Sequence, residues 1–177
     1  MVLRFSPGVY LDKPSSYVRL TFVDFSSAFN TIKPYLLLNE LSTMNVNTNV
    51  IKWIDAFMLQ RPQYVTVNGT TSTVLHTSTG APQGCVISPI LPVLYTNDCV
   101  CNERESFMIK FADDTVLAGL LTDSELNYRS AVQKLVDWCQ LNHLHLNAKK
   151  TKEMLIDFRK NKPSKLEPIY MCQPRRN

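Results

Sequence analysis

The chain has 177 residues, 45% of them hydrophobic, enough to bury one core, so a single domain is expected. No run of roughly eighteen apolar residues occurs, which excludes a spanning helix, and the start Met1-Val2-Leu3-Arg4-Phe5-Ser6-Pro7 lacks the apolar stretch of a secretory signal; an intracellular protein, in nucleus or cytoplasm, is expected. The net charge of +4 is uneven: from 149 to 177 there are nine Lys/Arg against three Asp/Glu, and before that ten against twelve.

In chain order, a strand is predicted over 18–24, where Val18, Leu20 and Phe22 alternate before Asp24. Pro34 suits the first turn of a helix over 34–44 with Leu37, Leu38, Leu41 and Met44 on one side. A second helix over 49–59 is expected to bury Val50, Ile54, Phe57 and Met58. Segments 64–67 and 70–75 flank Asn68-Gly69, the plainest hairpin signal in the chain. After a loop over 80–84, Ser88-Pro89 opens a helix towards Asn97, in which Pro92 is expected to kink the backbone at a cost of about 3 kcal/mol. A hairpin follows over 107–119. The pattern Thr122-x-x-Glu125 reads as a capping box for a helix carrying Tyr128, Val132, Leu135 and Cys139 as its apolar stripe. Met154, Ile156 and Phe158 alternate in a last strand, and the tail from Pro163 is expected to be poorly ordered. This order fits an α+β fold: a small antiparallel sheet backed by helices on one face, the split βαβ arrangement. Five cysteines without Cys-x-x-Cys spacing imply neither zinc nor disulfides.

Chemistry concentrates at three acids. Asp113 and Asp114 sit together at the tip of the second hairpin, and Asp24 closes the first strand. Adjacent carboxylates repel unless a cation or hydrogen-bond donors compensate them. Hard oxygen ligands without nearby His or Cys point to magnesium or manganese. Two such ions suit phosphoryl or nucleotidyl transfer by in-line displacement. The alternative for Asp113-Asp114 alone is an ordinary solvated turn.

A third segment, Gly80-Ala81-Pro82-Gln83-Gly84-Cys85-Val86-Ile87-Ser88-Pro89, lies between these acids. Together with Phe22-Val23-Asp24-Phe25-Ser26-Ser27-Ala28-Phe29-Asn30-Thr31-Ile32 and Ile109-Lys110-Phe111-Ala112-Asp113-Asp114-Thr115, it resembles the reverse transcriptase of non-LTR (LINE-type) retrotransposons. The similarity runs from about Tyr17 to Arg159, with Trp138-Cys139 and the run from Leu146 to Lys152 extending it. The resemblance implies a polymerase palm, ferredoxin-like, with part of the fingers over 17–160, after an N-terminal remnant (1–16) and before a basic tail (161–177). Its implied partners are an RNA template, a DNA primer and deoxynucleoside triphosphates, with no membrane.

It also implies roles. Asp24 and Asp113 would bridge two Mg²⁺ or Mn²⁺ ions, the Phe25 carbonyl would add a backbone ligand, and Asp114 would act less directly. Phe29 would lie against the sugar and exclude a 2′-hydroxyl; an ordinary core ring is the alternative. Gln83 and Gly84 would meet the incoming nucleotide and template. Ser26 and Ser27 would lie near the triphosphate, or equally cap the following turn. Either Lys149 or Lys152 would face the leaving pyrophosphate. Arg159, Lys160 and Lys162 could contact a phosphate backbone, or belong to a solvated tail.

The resemblance further implies an incomplete enzyme. The basic segment upstream of Tyr17, the primer grip, the thumb and the endonuclease of a longer polyprotein are not recognisable. The alternative is a non-enzymatic, decayed retroelement remnant that at most binds nucleic acid; an RNA-directed RNA polymerase or maturase-like protein is a weaker third reading.

Overall fold

The computed structural model describes residues 16–111, 114–122, 124–160, 167–169 and 171. In chain order the elements are β1 (Tyr17–Val23), α1 (Ala28–Thr31), α2 (Pro34–Thr43), α3 (Thr48–Met58), β2 (Arg61–Gln63), β3 (Thr66–Val67), β4 (Thr70–Thr71), β5 (Leu75–Thr77), α4 (Ile90–Tyr95), β6 (Ser106–Phe111), β7 (Asp114–Leu121), α5 (Leu126–Leu141) and β8 (Lys152–Asp157). They divide into two compact units. A sheet unit takes Met1–Ser26, Cys99–Leu141 and His145–Asn177, and a helical unit takes Ser27–Asp98 and Asn142–Leu144. No described helix is long and apolar enough to cross a membrane.

In the sheet unit four strands run in the order β6-β7-β1-β8, each antiparallel to its neighbour. The mixed fold with an antiparallel sheet is the expected one. Tyr17, Leu117 and Leu121 share one sheet face, and α5 lays Tyr128, Ala131 and Val132 on it. The predicted stripe Tyr128, Val132, Leu135 and Cys139 is buried throughout. Packing is closest at Gly119. A Cβ built there would fall 2.3 Å from Tyr128 Cδ2, so only a residue without one admits the ring. The same ring is fixed at its far end, where its hydroxyl shares a 2.7 Å hydrogen bond with Thr21 Oγ1 and donates to the Leu117 carbonyl at 3.2 Å.

The expected capping box is replaced by a different arrangement. Ser124 Oγ accepts from the Leu126 amide at 3.3 Å, and both Glu125 oxygens are taken up by side chains. Oε1 accepts from Tyr17 Oη at 2.9 Å and from Arg19 Nη1 at 2.7 Å, and Oε2 from Arg129 Nη2 at 2.8 Å. Arg19, 3% exposed, also bonds both oxygens of Glu153 and donates from Nη2 to the Glu167 carbonyl at 2.7 Å. Burial alone would lower the Arg19 pKa, but Glu153 and Glu125 reverse this and raise it. Burial opposes ionisation of Glu125 too, yet the bonds from Tyr17, Arg19 and Arg129 hold its carboxyl below the ordinary value. From the segment after β8, Ile169 and Met171 pack against the same core. The edge strand β8 does not bury its alternating residues. Met154 and Leu155 are exposed, and Phe158 lies past the strand end at 71% exposure.

The helical unit departs from expectation at two places. In α3, Ile54 and Met58 are buried, but Val50, in the first turn, is 44% exposed. The fully buried stripe is only these two residues; Phe57 is half-buried and stacks on Trp53, centroids 5.8 Å apart. The other departure is α4, which begins only at Ile90, so that Pro92 falls in its first turn. Amides there have no intrahelical acceptor, so no hydrogen bond is lost and no kink is required. Pro92 is buried and its carbonyl accepts from the Thr96 amide at 3.0 Å. The Asn68-Gly69 turn closes β3 on β4 with both residues at positive φ, 47° and 80°, the type I′ signature. The ladder resumes as β2 on β5 after a one-residue register change. Tyr64, Val65, Val67, Val74 and Leu75 are exposed along it.

Two outcomes are expected. Gly119→Ala should destabilise by about 3 kcal/mol, the upper end for overpacking, lowering Tm by roughly 10 °C; an unchanged Tm would show that α5 is not pinned at Tyr128. For Glu125, a folded pKa below the unfolded value means its contribution is complete above about pH 4.5 and is lost as pH falls through the folded value. Glu125→Gln should therefore lower Tm at neutral pH, by about 2 kcal/mol or more in stability, and flatten the acid limb of a Tm-against-pH curve. An acid limb as steep as that of the unsubstituted chain would refute this.

Candidate active site

Two backbone hydrogen bonds set the position of Asp24 and Phe25. The Asn147 amide donates to the Asp24 carbonyl at 2.8 Å, and the Ser26 amide donates to the His145 carbonyl at 2.7 Å. These flank the isolated antiparallel bridge between Phe25 and Leu146, which makes that pair the non-hydrogen-bonded kind. The N–H and C=O of such a residue point away from its partner, so the Phe25 carbonyl is turned to the β7 side and is not spent on the bridge. On that side the β1–β7 register pairs Val23 with Thr115. Asp24 follows directly after β1, and Asp114 is the first residue of β7, where it pairs with Phe111 across the hairpin end.

The Asp24 and Asp114 carboxylates and the Phe25 carbonyl are hard-oxygen donors of the kind that magnesium or manganese takes. Asp113, expected to share it, lies outside the described residues, among which no group of three His, Cys, Asp or Glu side chains is gathered. Asp24 Oδ1 does have a cation near it. Lys150 Nζ stands 3.9 Å away, whereas the lysines singled out from the sequence were Lys149 and Lys152. Three lysines within four positions cannot be told apart by spacing; the turn that carries them decides.

The helical unit gathers a second set. The Gly80 amide donates to the Ile32 carbonyl at 2.8 Å and the Ala81 amide to the Phe29 carbonyl at 2.7 Å. Gly80 has φ 73°, and a Cβ there would meet Asn30 Cα at 2.8 Å, so glycine permits this approach. Arg61, which sequence reading missed, fixes the same loop by donating from Nη2 to the carbonyls of Thr79 and Gly80 at 2.8 and 2.7 Å. Ser88 Oγ bonds the Pro82 carbonyl and closes the loop behind Gln83. Phe29, Gln83 and Gly84, expected together, line one cavity of about 540 Å³ with Cys85, Val86 and Ser88.

Ser26 is bonded through its amide to His145, and Ser27 begins α1 in a left-handed conformation, φ 53°, with no hydrogen bond from its side chain to the helix. Of the two alternatives for these serines, side-chain capping by Ser27 is therefore absent. Lys149, Lys152 and Lys160 are exposed, and Lys162 lies outside the described residues. Arg159 is committed internally. Its guanidinium forms a two-point pair with Asp157, at 3.0 and 2.8 Å, and lies 4.0 Å above the Tyr17 ring with its side chain 13% exposed.

A family model described as reverse transcriptase (RNA-dependent DNA polymerase) matches residues 3–171, and the chain belongs to that family. Among solved structures, apo telomerase from Candida tropicalis truncated from its C-terminal domain superposes with a TM-score of 0.62 at 13% identity, covering 82% of this chain and 32% of that one. Candida tropicalis telomerase in complex with the TWJ fragment of telomeric RNA gives 0.65 at 12% identity, covering 82% and 27%. The corresponding Candida albicans complex gives 0.60 at 13%, covering 82% and 28%. At these identities the likeness is one of fold, and the chain spans about a third or less of the telomerase chains it matches. No curated protein matches.

Proposed function

We propose that this chain is the palm-centred catalytic segment of a non-LTR, LINE-type reverse transcriptase, which adds deoxynucleotides to a primer 3′-hydroxyl on an RNA template. The observation that supports the reading is the β1–β7 ladder, which ends at Val23 with Thr115, so that Asp24 follows directly after β1 and Asp114 is the first residue of β7, while the Phe25 carbonyl is not spent on the bridge to Leu146. The LINE assignment is supported by the three sequence blocks around Asp24, Gln83 and Asp113.

Asp24, Asp113, Asp114 and the Phe25 carbonyl are the residues that would hold Mg²⁺ or Mn²⁺. When bound, two such ions supply activation of the attacking hydroxyl and neutralise charge on the leaving oxygen. The remaining work is positioning. Phe29 presents its ring to the deoxyribose, where a 2′-hydroxyl would collide with it. Gln83 offers an amide that both donates and accepts, and Gly84 leaves the backbone approachable. Ser26 and Ser27 offer donors to the triphosphate, and Lys149 or Lys152 faces the departing pyrophosphate. Lys160 and Lys162 contact the nucleic-acid backbone, and Arg159, which is paired with Asp157 and stacked over Tyr17, would have to leave those partners to join them. No covalent protein intermediate is needed. Fingers and thumb segments of a longer polyprotein would complete the grip on template and primer.

Mn²⁺ binding and primer extension on an RNA template test this together. Asp113→Asn/Asp114→Asn should weaken Mn²⁺ binding to this chain by tenfold or more, about 1.4 kcal/mol or above, and abolish extension by an enzyme carrying the complete domain. Identical binding by both proteins would remove the metal-site reading. In the same extension assay Phe29→Val should admit ribonucleotides, and unchanged sugar selectivity would remove Phe29 as the gate.

A further inference from the structure

We infer that Lys150 is a tethered counter-ion of Asp24, pairing with the carboxylate when no divalent cation is bound and competing with the first cation to arrive. This inference deepens the metal-site reading and rests on it. Among the described residues, the ion pair to Asp24 is made by Lys150, Nζ to Oδ1 at 3.9 Å.

Backbone bonding places this lysine. The β1–β8 ladder pairs Phe22 with Lys152, and pairing reappears as the bridge between Phe25 and Leu146. Between these points β1 contributes only Val23 and Asp24, while the opposite chain makes an excursion over 147–151. The Lys150 and Thr151 amides close that excursion on the Asn147 carbonyl, at 3.1 and 2.8 Å, while the Asn147 amide holds the Asp24 carbonyl. The residue that anchors Asp24 is thus the residue from which the lysine turn springs. Lys149 and Lys152 share the local charge without sharing this pair.

The pair is poised to break. Lys150 is 71% exposed, and exposed ion pairs contribute little because water screens them and long side chains lose freedom on ordering. A divalent cation displaces such an ammonium readily, yet has to displace it. The charge of Lys150 therefore lowers cation affinity, and the effect fades as added salt shortens the screening length from about 10 Å at 0.1 M to about 3 Å at 1 M.

The test is Mn²⁺ titration of the full chain, followed by the electron paramagnetic resonance signal of free Mn²⁺ in low and high KCl, with circular dichroism establishing that each variant is folded. Lys150→Met should bind Mn²⁺ about two- to fivefold more tightly than the unsubstituted chain at low salt. The gap should close at high salt, and Lys150→Arg, which keeps the charge, should restore the original affinity. Equal affinities for the unsubstituted chain and Lys150→Met, with both losing binding on Asp24→Asn, would overturn the counter-ion and leave the metal site standing. Absence of binding in all of them, or binding indifferent to Asp24→Asn, would overturn the metal-site reading and the inference with it.

Discussion

The buried guanidinium of Arg19 is the point on which the sheet unit depends. From the middle of β1 it reaches Glu125 at the start of α5, Glu153 on β8 and the main chain at Glu167. A lone buried cation would carry a desolvation cost of several kcal/mol, and pairing offsets that only where the geometry satisfies its donors. Here two carboxylates and a carbonyl do so. The planar fork can serve several acceptors at once, which an ammonium on a flexible stem does less well. Helix, edge strand and returning chain are therefore registered against one residue two pleats below Val23, and the far end of that strand delivers Asp24.

The β1 end is built with economy. One non-hydrogen-bonded pair, Phe25 with Leu146, accounts for the backbone groups on one side and leaves those of Phe25 for the other. The sheet is thus continuous up to Val23 and interrupted just beyond Asp24, where the Phe25 carbonyl is turned away from the bridge. Interrupted ladders beside chemically active residues are a recurrent way of re-aiming groups without loosening the strands that carry them.

Much of this was readable beforehand, for identifiable reasons. Alternation in Val18, Leu20 and Phe22 located β1, Asn68-Gly69 located the tight hairpin, and the stripe from Tyr128 to Cys139 located α5, because each is a local pattern with one geometric solution. Arg19 was not readable: a single charge in a strand resembles an outward-facing residue, and its partners lie more than a hundred positions away. Gly119 was hidden for a related reason, since what forbids a side chain there is the Tyr128 ring on a later helix. Pro92 was misread because its meaning turns on where α4 starts, and helix boundaries are the least local feature of a helix. Phe29, Gln83 and Gly84 were grouped by resemblance; the loop bonds of Gly80, Ala81 and Arg61 explain physically why they line one cavity.

Beyond Arg61, at the start of β2, the hairpin from β2 to β5 sits in an uncommon stretch, since positions 62–97 contain no Lys, Arg, Asp or Glu. Among the described residues its strands pair only with one another, as two two-stranded ladders, so each has one edge without a ladder partner, beside exposed valines and Tyr64. Natural sheets usually blunt such edges with lysine or proline. Arg61 and Pro62 blunt β2, but β3 and β4 at the tip carry neither charge nor proline; self-association of concentrated preparations should therefore begin at the tip, and a single lysine in place of Val67 is the economical remedy.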